Sequence, residues 1–313
     1  MTQQKGLAII APGGRPLDDA RLPIGLARLR ARGFVVHDYY DPAAAFQRFG
    51  GTDANRLAQL NDAIADPDIQ LILAMRGAYG MTRLLDRIDF DALAASGKIV
   101  SGFSDLTALH MGLMARTGAM SYAGPMFSGD FCGEVEDALT MASFFNCLAG
   151  PTHVIDERVS DNPVVTVEGP VWGGNLSMLV SLLGTPYFPE ASLLDGGIVY
   201  IEDVNEHPYR IERMLLQLLQ AGVLGRQQAL IIGEVSAFRL SAADRGYDFD
   251  AMLAYLREHL PIPVLTGLRF GHSASRVTIP FGAAARLVSD ADGFTLTMHG
   301  YPTLGEDGVL RRC

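Results

Sequence analysis

The chain has 313 residues, 25 Lys+Arg against 35 Asp+Glu, a formal charge of −10, and 49% hydrophobic with 19% charged residues. That is enough apolar material for a sizeable core, and the length suits about two domains. The acidic balance argues against broad duplex binding, which relies on Lys and Arg neutralising phosphates, and no apolar run reaches the ~18 residues that span a bilayer.

The N-terminal half alternates strand and helix. Leu7–Ala11, closed by Pro12-Gly13-Gly14, is too short for a secretory leader and reads as a first strand. Residues 24–31 read as a helix ended by Gly33, and Phe34-Val35-Val36 as a strand. Asp53 opens a helix through Ala65, with Leu57, Leu60 and Ile64 on one face. Residues 69–75 (IQLILAM) have the unbroken apolarity of a strand covered on both faces. Ile99-Val100 leads into Gly102-Phe103-Ser104-Asp105 and a helix ending at Gly118; residues 121–125 read as a strand and 135–148 as a helix. Such alternation predicts a parallel sheet with right-handed crossovers. Residues 151–167, rich in proline and charge, read as a linker between lobes. Beyond it, helices at 175–183 and 208–221 and strands at 198–203, 229–235, 264–270, 276–279 and 294–299 predict a mixed α+β lobe over 168–313. The expected architecture is thus an α/β lobe over 1–150 and a C-terminal α+β lobe.

Cys132, Cys147 and Cys313 show no CxxC spacing and form an odd set, which argues for a reducing compartment and against a disulfide framework. Pro12-Gly13-Gly14 has neither G-x-G-x-x-G nor G-K-[ST], so no nucleotide cofactor is expected.

The segment KIVSGFSDLTALH (98–110) carries the strongest chemical signal. A strand runs through a tight turn into a helix, with Ser104 on the turn and the next amides at the helix start, as in a nucleophile elbow. Leu106 stands where a G-x-S-x-G elbow has its second glycine, which counts against an α/β-hydrolase fold. Ser104 also suits a helix cap, and alone the segment favours the cap. A serine nucleophile needs a base, and the base an orienting partner. Of His37, His110, His153, His207, His259, His272 and His299, His272 is the favourite, because it follows Gly271 in a loop at a strand's C-terminal end. His37 and His153 read as loop residues, His259 as solvated. Glu202 and Asp203 end an apolar strand, where a carboxylate can orient an imidazole; a metal set of Glu202, Asp203, Glu206 and His207 lacks ligand spacing. Two glycines after Arg76 allow close backbone approach, so the Gly77 N–H is a candidate oxyanion donor. Arg76 is a candidate cation for a substrate carboxylate, Arg210 and Arg213 read as helix-surface charges, and Trp172 as a cleft-lining residue.

APGG, RGAYG, GFSDLTALH, GPVWGGNLSML, IEDVNEHPYRIERMLLQL and GLRFGH together resemble, in order and over residues 10–280, the motifs of the LD-carboxypeptidases, peptidase family S66. The resemblance implies an active site in the cleft between the two lobes, with a Ser–Glu–His triad of Ser104, Glu202 and His272 and an oxyanion hole from the amides of Gly77 and Asp105. It further implies a cytoplasmic homodimer, without metal or cofactor, that releases terminal D-alanine from murein tetrapeptides during cell-wall recycling. RGAYG departs from the more usual RGGYG: Ala78 adds a methyl beside the proposed oxyanion turn, expected to narrow the pocket. Two other readings remain, an S66-type hydrolase of peptidyl- or aminoacyl-nucleotides and a non-catalytic two-lobe binding protein.

Overall fold

Residues 5–305 are described by a computed structural model; Cys313 lies outside the described residues. The apolar runs become strands of two sheets. In chain order the strands are β1 (Gly6–Ile10), β2 (Val35–Asp38), β3 (Ile69–Ala74), β4 (Ile99–Gly102), β5 (Ser121–Ala123), β6 (Thr152–Arg158), β7 (Thr166–Asn175), β8 (Ile198–Val204), β9 (Ala229–Ser236), β10 (Val264–Thr266), β11 (Ile279–Phe281), β12 (Ala284–Ser289) and β13 (Gly293–His299).

The first sheet has the order β11-β5-β4-β3-β1-β2. Its strands β1 to β5 run parallel, joined by helices that include Leu22–Ala31, Asp53–Ala65 and Thr107–Thr117. β1 and β3 are apolar along almost their whole length because both faces are covered. The second sheet, β10-β9-β8-β7-β12-β13-β6, is mixed: β7 to β10 are parallel, and β12, β13 and β6 form an antiparallel wing. The expected class, a parallel α/β part followed by a mixed part, is the observed one.

Three details differ from expectation. Residues 151–167 are more than a linker, since β6 lies within them and its burial alternates strictly. Two inward residues are polar, His153 and Glu157, and they hide the period-2 pattern. They are satisfied by Ser143, whose Oγ lies 3.1 Å from His153 Nε2, and by Arg269, whose Nε donates to Glu157 at 2.7 Å. His153 is therefore a buried strand residue, and His37 also lies in a strand. β12 escapes sequence reading because Ala285 and Ser289 occupy inward positions. The expected strand at 276–279 begins only at Ile279. It crosses back to the first sheet as β11, pairing antiparallel with β5 through Ile279↔Ala123 and Phe281↔Ser121. The C-terminal half thus supplies an edge strand to the N-terminal sheet, immediately after the loop that carries His272. Among the described residues no helix is long and apolar enough to cross a membrane.

Candidate active site

β4 ends at Gly102, and the chain turns through Phe103 and Ser104 into a short 3-10 turn, Ser104–Leu106, and the helix Thr107–Thr117. Ser104 itself takes the left-handed conformation, φ +62°. For a non-glycine residue such a backbone costs on the order of 1–3 kcal/mol, so its surroundings must hold it. Gly102 is not the left-handed residue. Its role is close packing, since a Cβ there would lie 2.9 Å from Leu106 Cγ. Behind the turn, His110 is buried and spans two groups: its Nε2 lies 2.8 Å from the Gly102 carbonyl and its Nδ1 2.8 Å from Ser121 Oγ. The network fits Nε2–H donating to the carbonyl and Nδ1 accepting from the serine. Burial pushes the His110 pKa down to about 4, keeping the ring neutral.

The Ser104 hydroxyl caps no helix end. Its Oγ lies 3.0 Å from His272 Nε2, and His272 Nδ1 lies 2.7 Å from Glu202 Oε2. With Nδ1–H donated to the carboxylate, Nε2 is free to accept the serine proton. Glu202 is fully buried on β8, in register with Asn175 of β7. Burial raises the Glu202 pKa, opposed by its hydrogen bond to His272. Phe103 packs edge-on against His272 at 5.1 Å and against Phe270 at 6.1 Å, walling one side of the imidazole.

The turn after β3 faces the serine. A Cβ on Gly77 would lie 2.9 Å from Ser104 Cβ, 3.0 Å from its Oγ and 3.3 Å from the Asp105 nitrogen, so any side chain there would have to displace the serine. The Gly77 carbonyl accepts from Gly14 N at 2.7 Å, which locks the Pro12-Gly13-Gly14 turn behind the site. No nucleotide motif marks that turn in the sequence, and its bracing role shows only in the fold. Ala78 is left-handed, φ +65°, and its methyl sits where a Cβ on Gly14 would be 2.7 Å away. The extra methyl of RGAYG thus packs against the first turn. Asp105 turns its carboxyl inward: Oδ2 accepts from Met81 N at 2.9 Å, and burial pushes its pKa up to about 7. The side chain therefore braces the Gly77–Gly80 turn while the Asp105 backbone follows the serine.

Other sequence candidates lie elsewhere. Trp172 does not line the cleft. It is fully buried, with Nε1 donating to Gln227 Oε1 at 3.1 Å, because it falls on the inner stretch of β7. Arg76 is half-buried beside the Gly77–Gly80 turn, with Nη1 donating to the Arg15 carbonyl at 3.0 Å. Burial, and then the nearby Arg48 charge, lowers its pKa. Arg210 and Arg213 are exposed on the helix Pro208–Gln220. The four residues weighed as a metal set go separate ways. Glu202 takes His272, Asp203 accepts from Ser177, Glu206 meets Arg210 at 3.5 Å, and His207 lies 3.2 Å from Asp244.

The family model of the LD-carboxypeptidase N-terminal domain matches residues 7–124, and that of the LD-carboxypeptidase C-terminal domain matches residues 168–287. The crystal structure of muramoyltetrapeptide carboxypeptidase from Oxalobacter formigenes superposes with a TM-score of 0.90 at 45% identity, covering 96% of this chain and all of that one. The murein tetrapeptide carboxypeptidase of Pseudomonas aeruginosa is 29% identical over 90% of this chain and 92% of its own length. The microcin C7 self-immunity protein MccF of Escherichia coli is also 29% identical, over 87% of each chain. By these matches the chain belongs to the LD-carboxypeptidase family, peptidase family S66.

Proposed function

We propose that the protein is a serine LD-carboxypeptidase that releases the terminal D-alanine from murein tetrapeptides. The observation that carries this reading is the unbroken relay from Ser104 Oγ through His272, at 3.0 and 2.7 Å, to a buried carboxylate. In the first step His272 Nε2 takes the Ser104 proton as Oγ attacks the carbonyl of the L–D bond. Glu202 holds the imidazole in the required tautomer and stabilises its cation. The Gly77 and Asp105 amides receive the developing oxyanion, and each such donor contributes roughly 3 kcal/mol to the transition state. His272 then protonates the leaving amine, D-alanine departs, and water activated by the same imidazole hydrolyses the acyl-enzyme. Arg76, beside the oxyanion turn, is the cation for the terminal carboxylate.

Family membership supports a carboxypeptidase, and the names of the Pseudomonas and Oxalobacter relatives favour a murein peptide. The nucleotide-linked alternative needs a platform for a base. The chain's single tryptophan offers none, being wholly enclosed. A binding-only role with Ser104 as a helix cap disagrees with a hydroxyl that points at an imidazole instead. The test is mass analysis of products from defined tri-, tetra- and pentapeptide stems, with a peptidyl-nucleotide in parallel. Release of D-alanine from the tetrapeptide is the expected result; cleavage of the nucleotide conjugate alone would replace this reading with the MccF-like one.

A further inference from the structure

His272 comes from the C-terminal half, yet its loop is fastened to the N-terminal half. Ser275 Oγ donates to Asp137 at 2.6 Å, Arg276 N to Thr140 Oγ1 at 2.9 Å, and Thr278 N to Ser143 Oγ at 2.8 Å, all on or capping the helix Ala138–Ala149. β11 then continues the chain into the first sheet.

The centre of this docking is Arg276, whose side chain is only 7% exposed. Its Nε donates to the Gly271 carbonyl at 3.1 Å and its Nη2 to the Ser273 carbonyl at 2.6 Å, so one guanidinium grips the backbone on both sides of His272. Nη1 pairs with Asp130, a carboxylate 6% exposed on the turn Phe127–Phe131, which also accepts from Met126 N at 2.7 Å. The guanidinium carbon lies 4.4 Å from the centre of the Phe103 ring, the residue before the serine. A planar fork with donors in three directions meets all four neighbours; an ammonium has no such geometry.

We propose that Asp130 and Arg276 form a positioning clamp that fixes the His272 loop to the half carrying Ser104. Ser104 and His272 then belong to one rigid unit, and Glu202 is the only member of the relay supplied by the second sheet. The proposal rests on His272 acting as the base. A buried ion pair is weak evidence for stability in itself, whereas the grip on both flanking carbonyls gives this one a specific positioning role.

The test uses the full-length protein with Arg276→Lys and Asp130→Asn. Both keep side-chain volume close to the original, and folding is checked by near-ultraviolet circular dichroism. Two readouts are taken: kcat and KM for D-alanine release from the tetrapeptide, and the downfield proton resonance of His272 Nδ1–H, assigned by its loss in His272→Ala. The clamp predicts that Arg276→Lys lowers kcat about 100-fold, as for a misplacement of about 1 Å. KM should stay within about twofold and the imidazole resonance should move or broaden, with Asp130→Asn changing both readouts in the same direction. A folded Arg276→Lys protein with wild-type kcat and an unmoved resonance overturns the proposal, as does activity lost only in proportion to unfolded protein. If the wild-type protein fails to cleave the peptide, the peptidase reading fails by itself, and the resonance still decides whether Arg276 positions His272.

Discussion

Two serine–histidine pairs adjoin the turn from Gly102 to Ser104. Ser121 meets His110 at 2.8 Å, a slightly shorter contact than the 3.0 Å between Ser104 and His272. Yet His110 faces a backbone carbonyl on its other nitrogen and is sealed in the core, with its pKa pushed down to about 4. His272 faces a carboxylate, retains some exposure, and meets a serine on a left-handed turn flanked by the Gly77 turn. The hydrogen bond alone therefore does not single out a candidate nucleophile. What differs is the charge behind the ring and the way open in front of it. The inner pair is structural, holding the Gly102 carbonyl from which the outer serine's turn begins.

This contrast breaks most sharply at the outer histidine. His272→Ala should lower kcat for D-alanine release by about 10⁶-fold, because among the described residues no other side chain hydrogen-bonds Ser104 Oγ to take its proton. Glu202→Gln should lower kcat by about 10⁴-fold with little change in KM, since an amide can favour the wrong tautomer; steady-state kinetics separates the two. Gly77→Ala places a methyl 3.0 Å from Ser104 Oγ and should reduce kcat by about 100-fold while the protein stays folded. Ser121→Ala is the counterpart on the inner pair. It should lower stability by roughly 1–3 kcal/mol in denaturant unfolding and leave kcat within a few-fold. Acid stability changes in increments of similar or smaller size per residue. The His110 and His153 pKa values are lowered by burial from 6.5 to about 4. Their stabilising contribution is complete above pH 6.5 and is lost as pH falls towards 4, on the order of 1–2 kcal/mol each by pH 5. Thermal melts across this range should show the decline, and His153→Asn should flatten part of it.

The candidate site residues are legible in the sequence because they sit where chain patterns change. Ser104 follows an apolar strand and a glycine, Gly77 lies in the turn after another strand, and Glu202 interrupts an apolar run with a charge that only a partner could justify. Long-range partners are not legible. Asp130 and Arg276 are 146 residues apart, and neither stands in a spacing that names the other. Trp172 shares a glycine-rich motif with the cleft, but the strand turns its ring into the core. β6 reads as a linker because two of its buried residues are polar, and their partners, Ser143 and Arg269, come from other elements.

The most direct trial of the serine mechanism is D-alanine release from a murein tetrapeptide by wild-type protein and by folded Ser104→Ala, measured side by side by mass spectrometry. The mechanism predicts stoichiometric release by the wild type and none above background from the variant. Release by Ser104→Ala at the wild-type rate would contradict it.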